Sequence, residues 1–283
     1  MGNPPRERLD KALSRVATAL DLDQQRLRTW VSFIAICGVL ERAVAEGVLE
    51  DYHIKGGVAL ELRFFSKARA SGDIDIAIPG DLKDRLALFD AAIALGFDRF
   101  RVRRKGVPKH LEVVDTVRLV VAIEYDSRPV QSIDVDLGPG GAPFELVVPD
   151  FPGLYDLGVP TPSTIRCLTL EEQVAQKIHG ATNPAKIVGK PKLNRARDIL
   201  DVLLIELLGQ ADPVGVRAAA ERLFASEASH AWPPKRVLYP KGWCDTLEAL
   251  ARELDYPVKE AAGIISAFER VVGLIANAEE SDE

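Results

Sequence analysis

Apolar residues recur every three to four positions after Pro4-Pro5 up to about residue 20, and again over residues 23–46. That spacing lines one face of an α-helix, so the chain is read as opening with two helices. From residue 51 the texture changes to short β-branched runs at 52–55, 74–78, 97–103, 117–125, 130–137 and 144–148. Two helical segments interrupt them, one entered through Gly56-Gly57 and one over 82–95. The run of elements predicts an α/β core whose sheet is partly antiparallel. A Pro/Gly-rich passage over 138–162 marks a boundary, and beyond it the pattern is helical. Thr169-x-x-Glu172 has the form of a capping box for a helix to about residue 181. Further helices are expected at 193–208, 213–224, 244–254 and 259–278. The proline-rich segment 231–243 (AWPPKRVLYPKGW) reads as a loop without an assigned role, and the acidic end AEESDE as a frayed tail. The expected organisation is therefore bilobed, of the α+β or α/β class. Residues 1–50 form helices packed on a core at 51–160, and residues 161–283 a helical domain.

Composition narrows the class. The chain has 283 residues, 47% hydrophobic and 28% charged, as an ordinary globular protein does. Its longest apolar run, 30–40, is too short to span a bilayer, and the first residues lack the order of a signal peptide. No membrane association and a cytoplasmic location are expected. Cys37, Cys167 and Cys244 stand apart, with no CxxC pair, and the four histidines are scattered. That excludes a sequence-level zinc site and leaves the cysteines as small buried residues. The net charge of −6 argues against indiscriminate nucleic-acid binding. Positive charge is nonetheless concentrated locally. Residues 99–109 (RFRVRRKGVPK) carry six basic groups and 186–197 (KIVGKPKLNRAR) five, neither with an acid.

The informative chemistry is in two acidic strands. In Asp73-Ile-Asp-Ile-Ala-Ile78, alternation puts Asp73 and Asp75 on one face and Ile74, Ile76 and Ile78 on the other. Carboxylates about 7 Å apart on one strand face repel unless cations lie between them. Such a pair suits two-metal phosphoryl chemistry, whereas the plainer reading is an edge strand with a solvated face. In Ile133-Asp-Val-Asp-Leu137 the same alternation repeats. If the two strands are neighbours, a third carboxylate joins the pair. Asp134 is the expected one, with Asp136 and Glu124 as rivals. An oxygen-only set favours Mg²⁺ or Mn²⁺. Lys55-Gly56-Gly57 ends a strand and enters a helix, a place where backbone N–H groups approach a phosphate.

Two helical features add to this. Leu170, Val174, Lys177 and Ala181 share a stripe, which turns Lys177 inward, where it is suited to hold a triphosphate or to snorkel to the core edge. The helix from residue 193 is apolar nearly all round beyond Asp198, so Asp198 and Asp201 need partners, for which Arg195 and Lys177 are the candidates. The plainer alternative is a structural Arg195–Asp198 pair at i,i+3. His53, His110 and His230 show no partner pattern and read as structural or surface residues, and His179 is expected to face away from Lys177 on the same helix.

Gly56-Gly57 followed by Arg69-x-Ser71-x-Asp73-Ile-Asp75, then Glu171-Glu-Gln-Val-Ala-Gln-Lys177, then Arg195-Ala-Arg-Asp198, form an ordered set. It resembles the AbiEii-type nucleotidyltransferase toxins, which include the MenT toxins, within the DNA polymerase β-like superfamily. The resemblance covers roughly residues 50–205. It implies a polymerase β-like core that transfers a nucleotide from an NTP, with Asp73, Asp75, Lys177 and Asp198 catalytic and Mg²⁺ held by Asp73, Asp75 and Asp134. It assigns Lys55, Gly56, Gly57, Ser71 and Arg195 to the nucleotide. It further implies the 3′ acceptor end of tRNA as substrate, blocked translation, a cognate antitoxin, and Ser71 as a site of silencing phosphorylation. A monomer is expected. Two other readings stay open: transfer to a protein hydroxyl or a small molecule such as an aminoglycoside, and a non-catalytic RNA- or partner-binding module on the same fold.

Overall fold

The computed structural model describes residues 5–111, 115–149, 155–184, 195–209, 211–235, 239–240 and 242–279. The chain divides into two compact units, residues 1–168 and 169–283.

The first unit opens with α1 (Pro5–Leu20) and α2 (Gln24–Ala45). Asp23 caps α2 by accepting the Arg26 N–H at 2.7 Å. Its middle, from Trp30 to Leu40, is buried on every side, which is why its apolar run is unbroken. Then come β1 (His53–Lys55), α3 (Gly56–Phe64), β2 (Asp73–Ile78), α4 (Leu82–Leu95), β3 (Phe100–Leu111), β4 (Thr116–Tyr125), β5 (Arg128–Pro139), β6 (Phe144–Val147) and β7 (Ile165–Leu168). They form one seven-stranded sheet in the order β3-β4-β5-β2-β1-β7-β6. β2 runs parallel to β5 and β1 parallel to β7, while the other neighbours are antiparallel. The sheet is therefore mixed, as the sequence pattern predicts.

Alternation along the strands fixes which face is buried. Ile74, Ile76 and Ile78 of β2, Ile133, Val135 and Leu137 of β5, and Val117, Leu119, Val121 and Ile123 of β4 are all buried in one core with α2 and α4. The opposite face carries Asp73, Asp134, Arg118 and Arg103, which are exposed. A left-handed Asp126-Ser127 pair, φ 49° and 62°, turns β4 into β5.

Three expectations are corrected here. β7 was not visible in the pattern, because four residues that end a Pro/Gly-rich passage are too few to show a period; it carries the sheet past residue 160 to Leu168. β3 extends well beyond residue 103, through the basic stretch, with an irregularity between Lys105 and Lys109. As an edge strand it tolerates both the bulge and the charge. Arg103 and Arg104, read together as one basic patch, lie on opposite faces: Arg103 is on the open side 3.6 Å from Glu124, and Arg104 pairs with Asp90 of α4 at 2.9 Å.

The second unit is helical in its described residues: α5 (Leu170–Thr182), α6 (Ala196–Leu207), α7 (Pro213–Glu227), α8 (Gly242–Glu253) and α9 (Ala261–Ala276). Thr169 caps α5, accepting the Glu172 N–H at 3.4 Å, and Asp212 caps α7 ahead of Pro213. α5 is buried more widely than a single stripe: Gln173, Ile178, His179 and Gly180 are buried along with Val174 and Lys177. Among the described residues no helix is long and apolar enough to cross a membrane. Of the second basic stretch only residues 195–197 lie within the described residues.

Candidate active site

The parallel register of β2 on β5 places Asp73 opposite Asp134 and Asp75 opposite Asp136. In-register neighbours on parallel strands point the same way, so four carboxylates share the open face at roughly the 4.8 Å strand spacing. Asp73 and Asp134 are exposed, Asp75 and Asp136 half-buried. The rivals for the third position separate at once. Arg118 of β4, opposite Asp136 in register, grips it with both arms, Nε to Oδ1 at 2.7 Å and NH2 to Oδ2 at 2.5 Å. Glu124 lies near the other end of β4 beside Arg103. Among the described residues no ion pair engages Asp73 or Asp134. The hydrogen bond to Asp136, with the field of Asp136, Asp73 and Asp134, pushes the Arg118 pKa well above its ordinary value. That face carries these four carboxylates beside the Arg118 guanidinium.

The glycine pair meets this row directly. Gly56, at φ +70°, begins α3, and a Cβ there would strike the Asp75 carboxylate. A Cβ on Gly57 would strike the Ser71 hydroxyl and lies 3.1 Å from the Arg69 guanidinium. Backbone, serine and aspartate are thus packed at a distance only glycine permits. Lys55, the residue before α3, does not cap the helix with its own side chain. Lys55, in register with Asp75, sends its ammonium over Gly138, 3.1 Å from where a Cβ would stand, beside Thr116. Its charge adds to burial in lowering the His53 pKa to about 4, so that histidine is neutral.

Glu61 was missed by the sequence reading. It is buried on α3 and accepts the Ser71 N–H at 2.5 Å. Arg26 stands 4.0 Å from Glu61 and donates to the Phe65 and Ala68 carbonyls at 3.3 and 2.6 Å. Together they brace the turn that delivers Asp73. The available signal was a carboxylate between Leu60 and Leu62 in an otherwise apolar stretch. Burial raises the Glu61 pKa to about 7, against hydrogen bonding by Ser71 and the charges of Arg26 and Arg69. The Ser71 hydroxyl is itself buried, so a phosphoryl donor reaches it only if this turn opens.

In the second unit, Lys177 is buried and pairs with fully buried Asp201 at 2.6 Å, with Asp198 at 3.6 Å. Arg195 NH1 donates to Asp198 at 3.1 Å. A Cβ on Gly180 would stand 3.1 Å from Asp198 Oδ2. Both partners expected for Asp198 and Asp201 are present, and Lys177 is closest to Asp201. His179, expected to face away from Lys177, and His230, read as unpartnered, are stacked on each other with ring centroids 4.9 Å apart.

The carboxylates suit a hard divalent cation by donor type and by their excess charge. They do not converge: among the described residues no group of three or more His, Cys, Asp or Glu side chains is drawn together as metal ligands. Asp75 rests against Gly56.

The fold of this chain, a mixed seven-stranded sheet followed by a helical unit, is similar to that of a solved nucleotidyltransferase toxin. MenT4, a nucleotidyltransferase toxin of Mycobacterium tuberculosis H37Rv, has this architecture at 14% identity, over 94% of this chain and 98% of its own, with a TM-score of 0.54. The antibiotic-resistance factor ANT(2″)-Ia aligns over 70% of this chain and 94% of its own at 17% identity, TM-score 0.39. No curated protein matches the sequence. The sequence profile of the family described as nucleotidyl transferase AbiEii toxin, type IV toxin–antitoxin system, matches residues 38–263. The chain belongs to that family.

Three outcomes are expected. Gly56→Ala strains a positive-φ position and displaces Asp75; it is expected to lower nucleotidyl transfer at least 100-fold, read by single-turnover kinetics, while costing only about 1–2 kcal/mol of stability. Lys177→Met leaves Asp201 buried without its cation, and urea denaturation should show a loss of about 3–5 kcal/mol, largely recovered when Asp201→Asn is added. Glu61 carries the third. Its raised pKa stabilises the fold fully below about 4.5, and that contribution disappears as pH rises through about 7. Denaturation from pH 4.5 to 8 should show wild type losing on the order of 2–3 kcal/mol relative to Glu61→Gln, whose profile lacks this slope.

Proposed function

We propose that this chain transfers a nucleoside monophosphate from an NTP to the 3′ end of tRNA, releasing pyrophosphate and so blocking translation. The observation that carries the reading is the registered row of Asp73, Asp75 and Asp134 on an open sheet face, in contact with the Gly56-Gly57 turn. Asp73, Asp75 and Asp134 would hold Mg²⁺, which when bound supplies Lewis-acid stabilisation of the phosphoryl group. Arg118 keeps Asp136 occupied and out of that set. The Gly56 and Gly57 backbone and Lys55 bind and orient the phosphates; we place Ser71 in the turn beneath them, its hydroxyl buried against Gly57, with Glu61 and Arg26 fixing that turn. The acceptor hydroxyl attacks the α-phosphorus; its oxygen bonds to phosphorus as the bond to pyrophosphate breaks, and its proton is released. We assign Lys177 and Arg195 to the nucleotide, and Asp198 with Asp201 to setting the position of Lys177.

The edge strand β3 supports the choice of RNA as acceptor. Arg103, Lys105 and Lys109 are exposed along it. Such a strip neutralises backbone phosphates while the acidic remainder of the protein discourages non-selective contact. We expect a monomer whose partners are tRNA and a cognate antitoxin.

The test is total tRNA incubated with each α-labelled NTP and Mg²⁺, resolved on a denaturing gel. Wild type should label tRNA, and Asp73→Ala and Asp134→Asn should reduce labelling at least 1,000-fold, as loss of transition-state charge stabilisation does. Unlabelled tRNA with every NTP, alongside labelled protein or aminoglycoside, would sink the choice of acceptor. Absence of any transfer together with absence of Mg²⁺-dependent NTP binding would sink the enzyme.

A further inference from the structure

The proline-rich segment that follows α7 has no part in the site above, yet it builds a concavity. Residues Ala231, Trp232 and Pro233 close over Phe224 and Ala225 of α7 and Ala276 of α9, leaving a cavity of about 380 Å³ wholly within the second unit. That volume is in the range of small-molecule sites. Its wall is a set of rings held in place from behind. Phe224 lies 4.6 Å from the His230 ring and 5.2 Å from the Trp232 ring, and His230 is stacked on buried His179.

The polar groups behind the wall are already used. Thr182 Oγ1 meets His230 Nε2 at 2.8 Å and Ser229 Oγ meets its Nδ1 at 3.0 Å. Ser229 Oγ is shared with His179 Nε2 at 2.9 Å and Asn183 Nδ2 at 3.0 Å. With both nitrogens engaged, His230 offers the cavity its ring surface rather than a hydrogen bond. The polar groups that do line the cavity are Arg217 and Glu221, paired at 2.9 Å, with Arg217 NH1 also donating to the Ala278 carbonyl at 2.8 Å. The site therefore presents aromatic faces and, at one edge, a guanidinium donor beside a carboxylate acceptor.

We propose that this cavity binds a nucleobase, stacked on the Trp232 ring, which Phe224 supports edge-on, and read along its edge by Arg217 and Glu221. A planar ring with adjacent donors and acceptors on its rim matches both features, whereas an aliphatic ligand would leave the charge pair without a role. The choice of a nucleobase among planar rings rests on the nucleotidyltransferase family of the chain. Stacking on protein rings tolerates any base, so the Arg217–Glu221 edge sets the preference. The base has two possible sources, a free nucleotide or an unstacked residue of an RNA strand.

The test uses the full-length protein in EDTA, without turnover, so it stands apart from the transferase reading. AMP, GMP, CMP, UMP and a six-nucleotide single-stranded RNA are titrated against intrinsic fluorescence. Trp30 and Trp243 are buried, so quenching by a bound base reports on Trp232. Saturable quenching is expected with at least one probe. Arg217→Gln, on an exposed helix face, should weaken it several-fold and alter the order of bases. Trp232→Phe, followed by calorimetry, should weaken it about 5- to 100-fold, and Asp73→Ala should leave it unchanged. Quenching by a mononucleotide assigns the site to free nucleotides; quenching by the RNA alone assigns it to a strand. No saturable quenching with any probe overturns the proposal. So does quenching lost in Asp73→Ala, or affinity unchanged in both Arg217→Gln and Trp232→Phe.

Discussion

The structure of the first unit depends on the parallel pairing of β2 with β5 in one particular register. That register sets Asp73 beside Asp134 and Asp75 beside Asp136, an arrangement electrostatics alone opposes. It survives because the other face of the same strands is apolar. Ile74, Ile76, Ile78, Ile133, Val135 and Leu137 are all buried, each worth about 1.5–3 kcal/mol. Like-charge repulsion between carboxylates at a protein surface is about 1–4 kcal/mol per pair at close range. A slip of either strand by one residue would turn its three apolar side chains outward, so the core holds the carboxylates together against their own repulsion.

What remains of that repulsion is distributed by neighbours rather than removed. Arg118 takes Asp136 in a bidentate pair, and Gly56 gives Asp75 a place against backbone. Asp73 and Asp134 are left as the exposed pair. The same economy governs the turn before Asp73. A buried carboxylate, Glu61, holds the Ser71 N–H, and Arg26 ties down the carbonyls of Phe65 and Ala68. Burying Glu61 is costly, as its raised pKa records. The return is a fixed approach of the strand that carries the chemistry.

The second unit solves its buried charges differently. Lys177 lies between Asp198 and Asp201, and Arg195 takes the far side of Asp198, so four charged groups form a chain with alternating sign. Its centre is Lys177, whose removal takes the cation from fully buried Asp201. The aromatic wall around Phe224 is held by neutral hydrogen bonds instead, through Thr182, Ser229 and Asn183.

The division between sequence and fold follows from range. Alternation along a strand is local, so the shared face of Asp73 and Asp75, and that of Asp134 and Asp136, could be read directly from β-branched neighbours. The helix caps at Thr169 and the inward turn of Lys177 were equally legible, since each depends on residues three or four positions apart. That Arg118 engages Asp136 while Asp134 stays exposed was not legible, because it depends on a strand pairing. Glu61 stayed hidden for the same reason: its partners, Arg26 and Ser71, lie on other elements. β7 was invisible because a four-residue strand has no period of its own and exists only through β1 and β6. His179 and His230, nothing as separate letters, become a stacked pair only after α5 and the segment beyond α7 meet. Local pattern determined which faces the side chains occupy; long-range pairing, which no short window contains, decided which of them touch.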